Sequence, residues 1–417
     1  MRNWLLPVIL ALLLPAPSLL AQTPQAADVN AIRAQIDALR ADYEKRIQDL
    51  QKQMDDLQAQ LGRTPPPPQA PDQIAPAQAG VTGGTVSASK VFNPDIAVIG
   101  DFLGSIGTNE VQPTPALEMH ETEVSFQAVV DPYARADFFL SFGQEGVELE
   151  EGYITFSTLP GNILLNVGKM RAAFGKVNTF HNHVLPWTDR PIMTNNLVGG
   201  EDGITDAGIS VSRLIPNPFV FLEGTAQVYS GNTGNNLFRS TSRSQLTYVG
   251  HVRGYKDLSN STNLDLGVSF ARGHNNSGAA EDITGTPFTT RLFGADATVR
   301  WKPLQRAIYH SIIGRSEFVW SKRGEPTGPQ NATGYYASIE YQLARRWIAG
   351  FRYDHSGEAD NAALVDRGQS AILSYSPSEF SMIRGQYRHT NYAAGPTANE
   401  FLFQFQFAIG AHGAHPF

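Results

Sequence analysis

The sequence predicts an all-β transmembrane barrel of about sixteen antiparallel strands, preceded by an N-terminal α-helical coiled coil. Three observations carry this prediction. Side-chain character alternates with period two from residue 93 onward, the connections between the alternating segments switch between short and long, and the chain starts as exported proteins do.

The start reads Met1-Arg2-Asn3-Trp4, then an apolar run from Leu5 to Leu14 interrupted by Pro7, then Pro15, Pro17 and Ser18. Ala21 supplies the small residue at which a signal peptidase cuts, so residues 1–21 are expected to be a signal peptide. The run is too short to cross a bilayer, which takes about 20 residues. The chain has no cysteine, which excludes a disulfide framework, a thiolate metal site, a cysteine nucleophile and an acylated lipoprotein. A formal charge of −7 argues against a nucleic-acid partner, which requires a basic face.

Over residues 27–62 the apolar positions are Val29, Ile32, Ile36, Leu39, Tyr43, Ile47, Leu50, Met54, Leu57 and Leu61. They follow a heptad seam with one stutter at Tyr43. A seam this narrow predicts a periplasmic coiled coil, and isoleucine at both Ile32 and Ile36 leans away from a dimer. Residues 63–92 hold Pro65 to Pro68, Pro71, Pro76, Gly80, Gly83 and Gly84 and read as an extended linker.

From residue 93 to 417 the pattern is that of strands. In Tyr335-Tyr336-Ala337-Ser338-Ile339-Glu340-Tyr341-Gln342-Leu343 one face is apolar and the other carries Ser338, Glu340 and Gln342. Sixteen such segments run from 95–106 to 399–411, among them 243–256, 307–320 and 333–343. Asp131-Pro132, Leu159-Pro160-Gly161 and Pro303-Leu304-Gln305-Arg306 are short turns, whereas 231–242, 273–289, 321–332, 357–365 and 391–398 are long and rich in Gly, Asn, Ser and Thr. Outer-membrane barrels alternate their connections in this way, and an even strand count leaves both ends on the periplasmic side.

The longest connection, about 170–203, lies between the fifth and sixth strands and carries Phe174, Phe180, Val184, Leu185, Trp187, Ile192, Met193 and Leu197. Such apolar content predicts that it folds inward against the wall and narrows the lumen. The candidate constriction residues are Lys169, Arg171, Lys176, Asp189, Arg190, Glu201, Asp202 and Asp206. Alternation places Arg135, Asp137, Arg253, Asp296, Arg300, Glu317, Glu340, Arg352, Arg384 and Arg388 on the lumen wall, where rings of charge sort ions by sign and size. Asp265 and Asp354 fall on the same polar faces.

No cofactor and no metal are expected. His181 and His183 come nearest to a metal-ligand pair, which Glu201, Asp202 or Asp206 could complete, and His412 and His415 form a second pair near the terminus. No catalytic signature is present: there is no His-Glu-x-x-His, no Gly-x-Ser-x-Gly and no phosphate-cradling loop, so no enzyme is expected.

The segment Lys169-Met170-Arg171-Ala172-Ala173-Phe174-Gly175-Lys176, following a strand that ends in Gly168, resembles the Gly-Lys/Arg-x-Lys/Arg-x-x-Phe-Gly segment of the phosphate-selective porin O and P group. The resemblance implies a trimeric sixteen-stranded barrel whose third loop enters the pore, some members having an N-terminal coiled coil. It carries Lys169, Arg171 and Lys176 over as pore-lining cations. The chain lacks the dense lysine and arginine ladders of the phosphate-selective members, so the resemblance does not extend to phosphate selectivity.

The expected function is passive diffusion of small hydrophilic or ionic solutes through a porin in the outer membrane of a Gram-negative bacterium, with selectivity set by the third long loop. Expected partners are outer-membrane lipid, further copies of the chain as a homotrimer, and the solutes themselves. The alternatives are a ligand- or metal-specific uptake receptor and a structural outer-membrane anchor. A receptor would carry a globular plug, and no plug-sized segment precedes the strands.

Overall fold

The computed structural model describes residues 94–410 apart from 145, 236, 276 and 278–287, together with Lys45 and Lys52, both helical and exposed. The signal peptide, most of the coiled coil, the linker, and the His412/His415 pair lie outside the described residues.

Sixteen strands follow in chain order: β1 (Asp95–Thr108), β2 (Leu117–Asp131), β3 (Ala134–Gly143), β4 (Gly146–Leu159), β5 (Ile163–Arg171), β6 (Thr205–Leu214), β7 (Phe221–Tyr229) and β8 (Thr247–Ser259). The second half comprises β9 (Thr262–Asn275), β10 (Phe288–Trp301), β11 (Ile312–Arg323), β12 (Gln330–Ala344), β13 (Trp347–Gly357), β14 (Val365–Ser378), β15 (Ser381–Asn391) and β16 (Ala398–Gly410). Each pairs antiparallel with its sequence neighbours, and β1 pairs with β16, so the sheet closes into a barrel.

Closure leaves no strand edge unpaired, and the alternation then divides every strand between lumen and exterior. On β9, Asp265, Gly267, Ser269 and Ala271 are buried while Leu266, Val268 and Phe270 are exposed. On β12, Tyr336 and Ser338 are buried while Tyr335, Ile339 and Tyr341 are exposed. A soluble protein seldom exposes contiguous apolar surface on this scale, and a bilayer is the solvent that suits it.

Aromatic pairs mark both rims of the apolar wall. At the long-loop end Phe270, Phe293 and Trp320 stand side by side in register, with ring centroids 5.1 and 5.6 Å apart. Arg272, Arg291 and Lys322, paired one to the next, form the outward row beyond them. At the short-turn end Trp347 and Tyr375 lie 4.5 Å apart. Interfacial aromatics with cations beyond them are the pattern of a membrane girdle.

The alternation of connection lengths has two departures. The β3–β4 connection, on the long-loop side, is only residues 144–145. The β10–β11 connection runs from 302 to 311 instead of ending at Arg306, because the backbone continues in hydrogen-bonded turns from Pro303 through His310 and joins the ladder only at Ile312. Strands β8 and β12 likewise begin at Thr247 and Gln330 rather than at 243 and 333.

Two β-bulges alter which side chains reach the lumen. On β2 the partners pass from Asp101↔Glu121 to Phe102↔Met119, so His120 is the extra residue. On β4 they pass from Phe139↔Glu151 to Leu140↔Leu149, so Glu150 is extra. A bulge places two successive side chains on one face. Glu150 and Glu151 therefore both enter the interior.

Candidate functional site

The connection between β5 and β6 enters the barrel. Phe174, Val177, Leu185, Trp187, Met193, Leu197 and Val198 are buried and pack in one cluster with wall residues Val249, Ala271, Leu292, Val319, Ala332, Tyr336 and Ile372. Removing these side chains from water supplies the driving force, roughly 1.5–3 kcal/mol for each fully buried aliphatic or phenyl group. Two short 3-10 turns, Val177–Thr179 and Asn182–Val184, and a π turn, Thr194–Val198, shape the loop.

The wall meets the loop's backbone donors in sequence. The N–H of Ala173 donates to Gln227 on β7 (2.7 Å), that of Gly175 to Ser269 on β9 (2.9 Å), and that of Val177 to Glu317 on β11 (2.8 Å). Further along, the N–H of Thr188 donates to Gln386 on β15 (3.0 Å) and that of Ile192 to Asp354 on β13 (3.3 Å). A buried segment without regular structure needs partners of this kind for its N–H groups.

The glycines of the motif have separate structural reasons. Gly168 has φ +147°, and a Cβ there would sit 2.2 Å from the carbonyl oxygen of Gly152. Gly175 has φ +60°, and its Cβ would meet Glu317 Oε2 at 2.3 Å. Phe174 lies over Gly294 on β10, where a side chain would crowd its ring.

Each cation of the motif faces a carboxylate. Lys169 pairs with Glu148 at 3.2 Å, Arg171 with Glu150 at 3.1 Å, and Lys176 with Asp265 at 2.5 Å. Asp265 also takes a bidentate pair of hydrogen bonds from Arg253, and Arg300 lies 3.9 Å away. Lys176 thus belongs to a charged group on β8, β9 and β10, apart from Lys169 and Arg171.

Several other expected constriction charges hold the loop in place. Asp189 accepts from Arg352 at 3.0 Å and from Arg388 at 2.8 Å. Burial alone would raise its pKa, but the two guanidinium groups outweigh burial and bring it to about 2. Arg352 also pairs with Asp354 and lies over the Trp187 ring at 4.9 Å, while Arg384 donates to the Trp187 carbonyl at 3.0 Å. Arg388 pairs in addition with Glu400 on β16. Arg190 donates to the carbonyls of Val177 and Phe180 and to Asn182 within the loop itself. Asp206 accepts from Ser230, Gly231 and Asn232 and fixes the start of the β7–β8 connection.

Of the remaining wall residues, Arg135 bonds Asp137 on the same strand, Glu340 pairs with Arg315, and Asp296 is buried near Lys176 and Asp265. Glu317 also accepts from the Tyr336 hydroxyl.

The loop turns next to β2 and β4, where the bulges bring in residues that alternation alone does not place there. His181 lies between carboxylates: Nδ1 is 2.7 Å from Glu123 and 3.1 Å from Glu150, and Nε2 is 2.8 Å from Glu151. Burial opposes its charge, but these hydrogen bonds outweigh burial and raise its pKa well above the ordinary histidine value. His183, equally buried, is pushed down to about 4, first by burial and with a contribution from charged His181. Glu201 bonds His120 at 2.8 Å and also meets Asn182.

Beside this cluster opens a cavity of about 880 Å³. Among the described residues its lining carries Glu118, Glu121, Glu148, Glu150, Glu201, Asp202 and Asp206 against only two permanent cations, Lys169 and Arg171. A smaller cavity of about 240 Å³, sharing Glu118, His120, Asn182 and Glu201, reaches Asp189, Arg190 and Arg388.

No family model matches the sequence. An uncharacterized protein of Aquifex aeolicus (strain VF5) is 29% identical over 390 residues, covering 79% of this chain and 81% of that one. Among solved structures, Pseudomonas putida OprB has a TM-score of 0.53 at 8% identity, covering 77% of this chain and 95% of that one. Salmonella typhi OmpF, solved with daunomycin, has a TM-score of 0.51 at 8% identity, covering 77% and 99%. The likeness to both is one of fold, the sixteen-stranded barrel of outer-membrane proteins.

Proposed function

We propose that the protein is an outer-membrane porin that passes small hydrophilic or ionic solutes by diffusion, with the inward loop setting selectivity and favouring cations. The observation that carries this reading is the cavity beside the loop, inside an apolar-walled closed barrel, where among the described residues seven carboxylates face two permanent cations. A low-dielectric wall strengthens such an imbalance, raising the local concentration of cations and excluding anions. The pairing of Lys169, Arg171 and Lys176 with carboxylates supports cation preference over phosphate selectivity.

In this reading the protein sits in the outer membrane with the coiled coil in the periplasm. It assembles as a homotrimer, for which the heptad seam with Ile32 and Ile36 is the support. Planar-bilayer recording tests the proposal. Stepwise openings in threes, with a reversal potential in a KCl gradient of the sign for potassium over chloride, are expected. A silent bilayer would favour the receptor or anchor, and a chloride-selective potential would overturn the cation preference.

A further inference from the structure

The inner wall at β1, β2 and β4 and the facing loop gather six carboxylates: Asp101, Glu121, Glu123, Glu150, Glu151 and Glu201. Their positive neighbours are Arg171, Arg190 and Arg384, the last beside Asp101 through Gln404, and, when protonated, His120 and His181. Even with both imidazoles charged, the carboxylates outnumber the cations, and all but Glu201 are buried or nearly so, which is costly unless something neutralises the excess.

One atom locates the imbalance. Glu121 is 4% exposed; its Oε2 accepts from Asn182 at 3.1 Å, but its Oε1 accepts no hydrogen bond and points toward His183. His183 Nδ1 stands 3.9 Å from that oxygen and 3.5 Å from Glu123 Oε2. One donor atom from each of these residues lies within 4.8 Å of the other two. These separations exceed a hydrogen bond, roughly 2.7–3.2 Å. They approach the edge of a tetrahedron with bonds of about 2.0 Å, which is roughly 3.3 Å.

We infer that Glu121, Glu123 and His183 form a binding site for one divalent transition-metal ion in the wall of the lumen. One imidazole with two carboxylates is a donor set for Zn2+ and its first-row neighbours, and the imidazole disfavours Ca2+ and Mg2+. A bound cation offsets the excess of carboxylate. His181 bonds the same Glu123 oxygen that faces His183, at 2.7 Å, and orients that carboxylate as an outer partner. Entry is open, because Glu121 also borders the large cavity. The bound ion would tie the loop to β2, adding a fixed positive charge beside the solute path.

The site stands whether or not the barrel conducts, because metal uptake is measured on protein in detergent without a membrane. Untagged full-length protein, stripped with a chelator and dialysed, is titrated with ZnCl2 by calorimetry, and with CoCl2 to read the visible bands of a low-coordinate site. One ion per chain is expected. Glu121→Gln, nearly identical in shape, and His183→Ala should each weaken binding by at least about tenfold. A His412→Ala/His415→Ala double variant should bind as the wild type does. Folding of each variant is checked by heat-modifiable migration on gels. The inference is overturned if folded wild type takes up no ion, if Glu121→Gln binds unchanged, or if uptake disappears only in the His412/His415 variant.

Discussion

The guanidinium of Arg352 on β13 holds both carboxylate oxygens of Asp189 at 3.0 Å, joining the far point of the inward loop to a wall residue 163 positions later. Arg388 reaches the same carboxylate from β15. Arg352 is fully buried and keeps Asp354, as Arg388 keeps Glu400, so removing Asp189 costs less than the roughly 3–5 kcal/mol of a buried charge left with no partner, but it removes the carboxylate that ties the loop to β13 and β15. Asp189→Asn is therefore expected to loosen the loop: single-channel conductance rises, open-channel noise increases, and protease cleaves within 180–200 in the folded barrel. Unchanged conductance and protection would refute the clamp.

The same pair predicts a pH response. Asp189 has a pKa of about 2 in the folded chain, below the ordinary aspartate value near 3.9, so it binds protons less readily folded than unfolded. Its stabilisation is present above pH 4 and is lost as the pH falls from about 4 to 2. The conductance difference between wild type and Asp189→Asn should accordingly be constant from pH 7 to 5. It should shrink toward zero in the acid range as the wild-type carboxyl takes up its proton.

Selectivity should follow the carboxylates that face the cavity without holding the loop. Asp202 is exposed and Glu148 is largely so. Replacing both by their amides is expected to move the reversal potential in a KCl gradient toward zero, while Lys169→Gln should move it further in the potassium direction. Neutralising Lys169, Arg171 and Lys176 together should change conductance, ion preference or both. No movement of the reversal potential in any of these variants would remove the loop from the selectivity argument.

Gly168 offers a test of the backbone. A methyl group there meets the Gly152 carbonyl and must adopt a left-handed conformation, at a cost of order 1–3 kcal/mol. Gly168→Ala is expected to lower the temperature at which the barrel unfolds in heat-modifiable gel assays. Gly161→Ala, also at positive φ but with nothing near its Cβ, should lower it less.

Strand count and facing were legible because period two is a local property, as the inward Ser338 and outward Ile339 show. The inward course of the third loop was legible from Trp187, Leu197 and their neighbours, whose burial no exposed loop could provide. The partners of its charges were not. Asp189 finds Arg352 and Arg388 only after closure brings β13 and β15 to it, and no spacing in the chain records that approach. The acidic cluster at His181 was hidden for another reason. Bulges at His120 and Glu150 break the alternation on which facing was assigned, although the period-two carboxylates Glu121 and Glu123, with Glu118 before them on the same strand, were a visible sign.

The seam between β1 and β16 has a kinetic consequence. Ala97 pairs with Gly410 and Thr108 with Asn399, so the ladder that removes the last free edge joins the two extremes of the sheet. Until the final strand is delivered, every partly assembled form presents two unsatisfied edges and an apolar flank, the features that lead to aggregation. Such non-local pairing is slow because loop-closure entropy must be overcome before the contacts form. The last ladder therefore cannot form until residues 398–410 are available, and until then the chain depends on its surroundings to keep those edges apart from other chains.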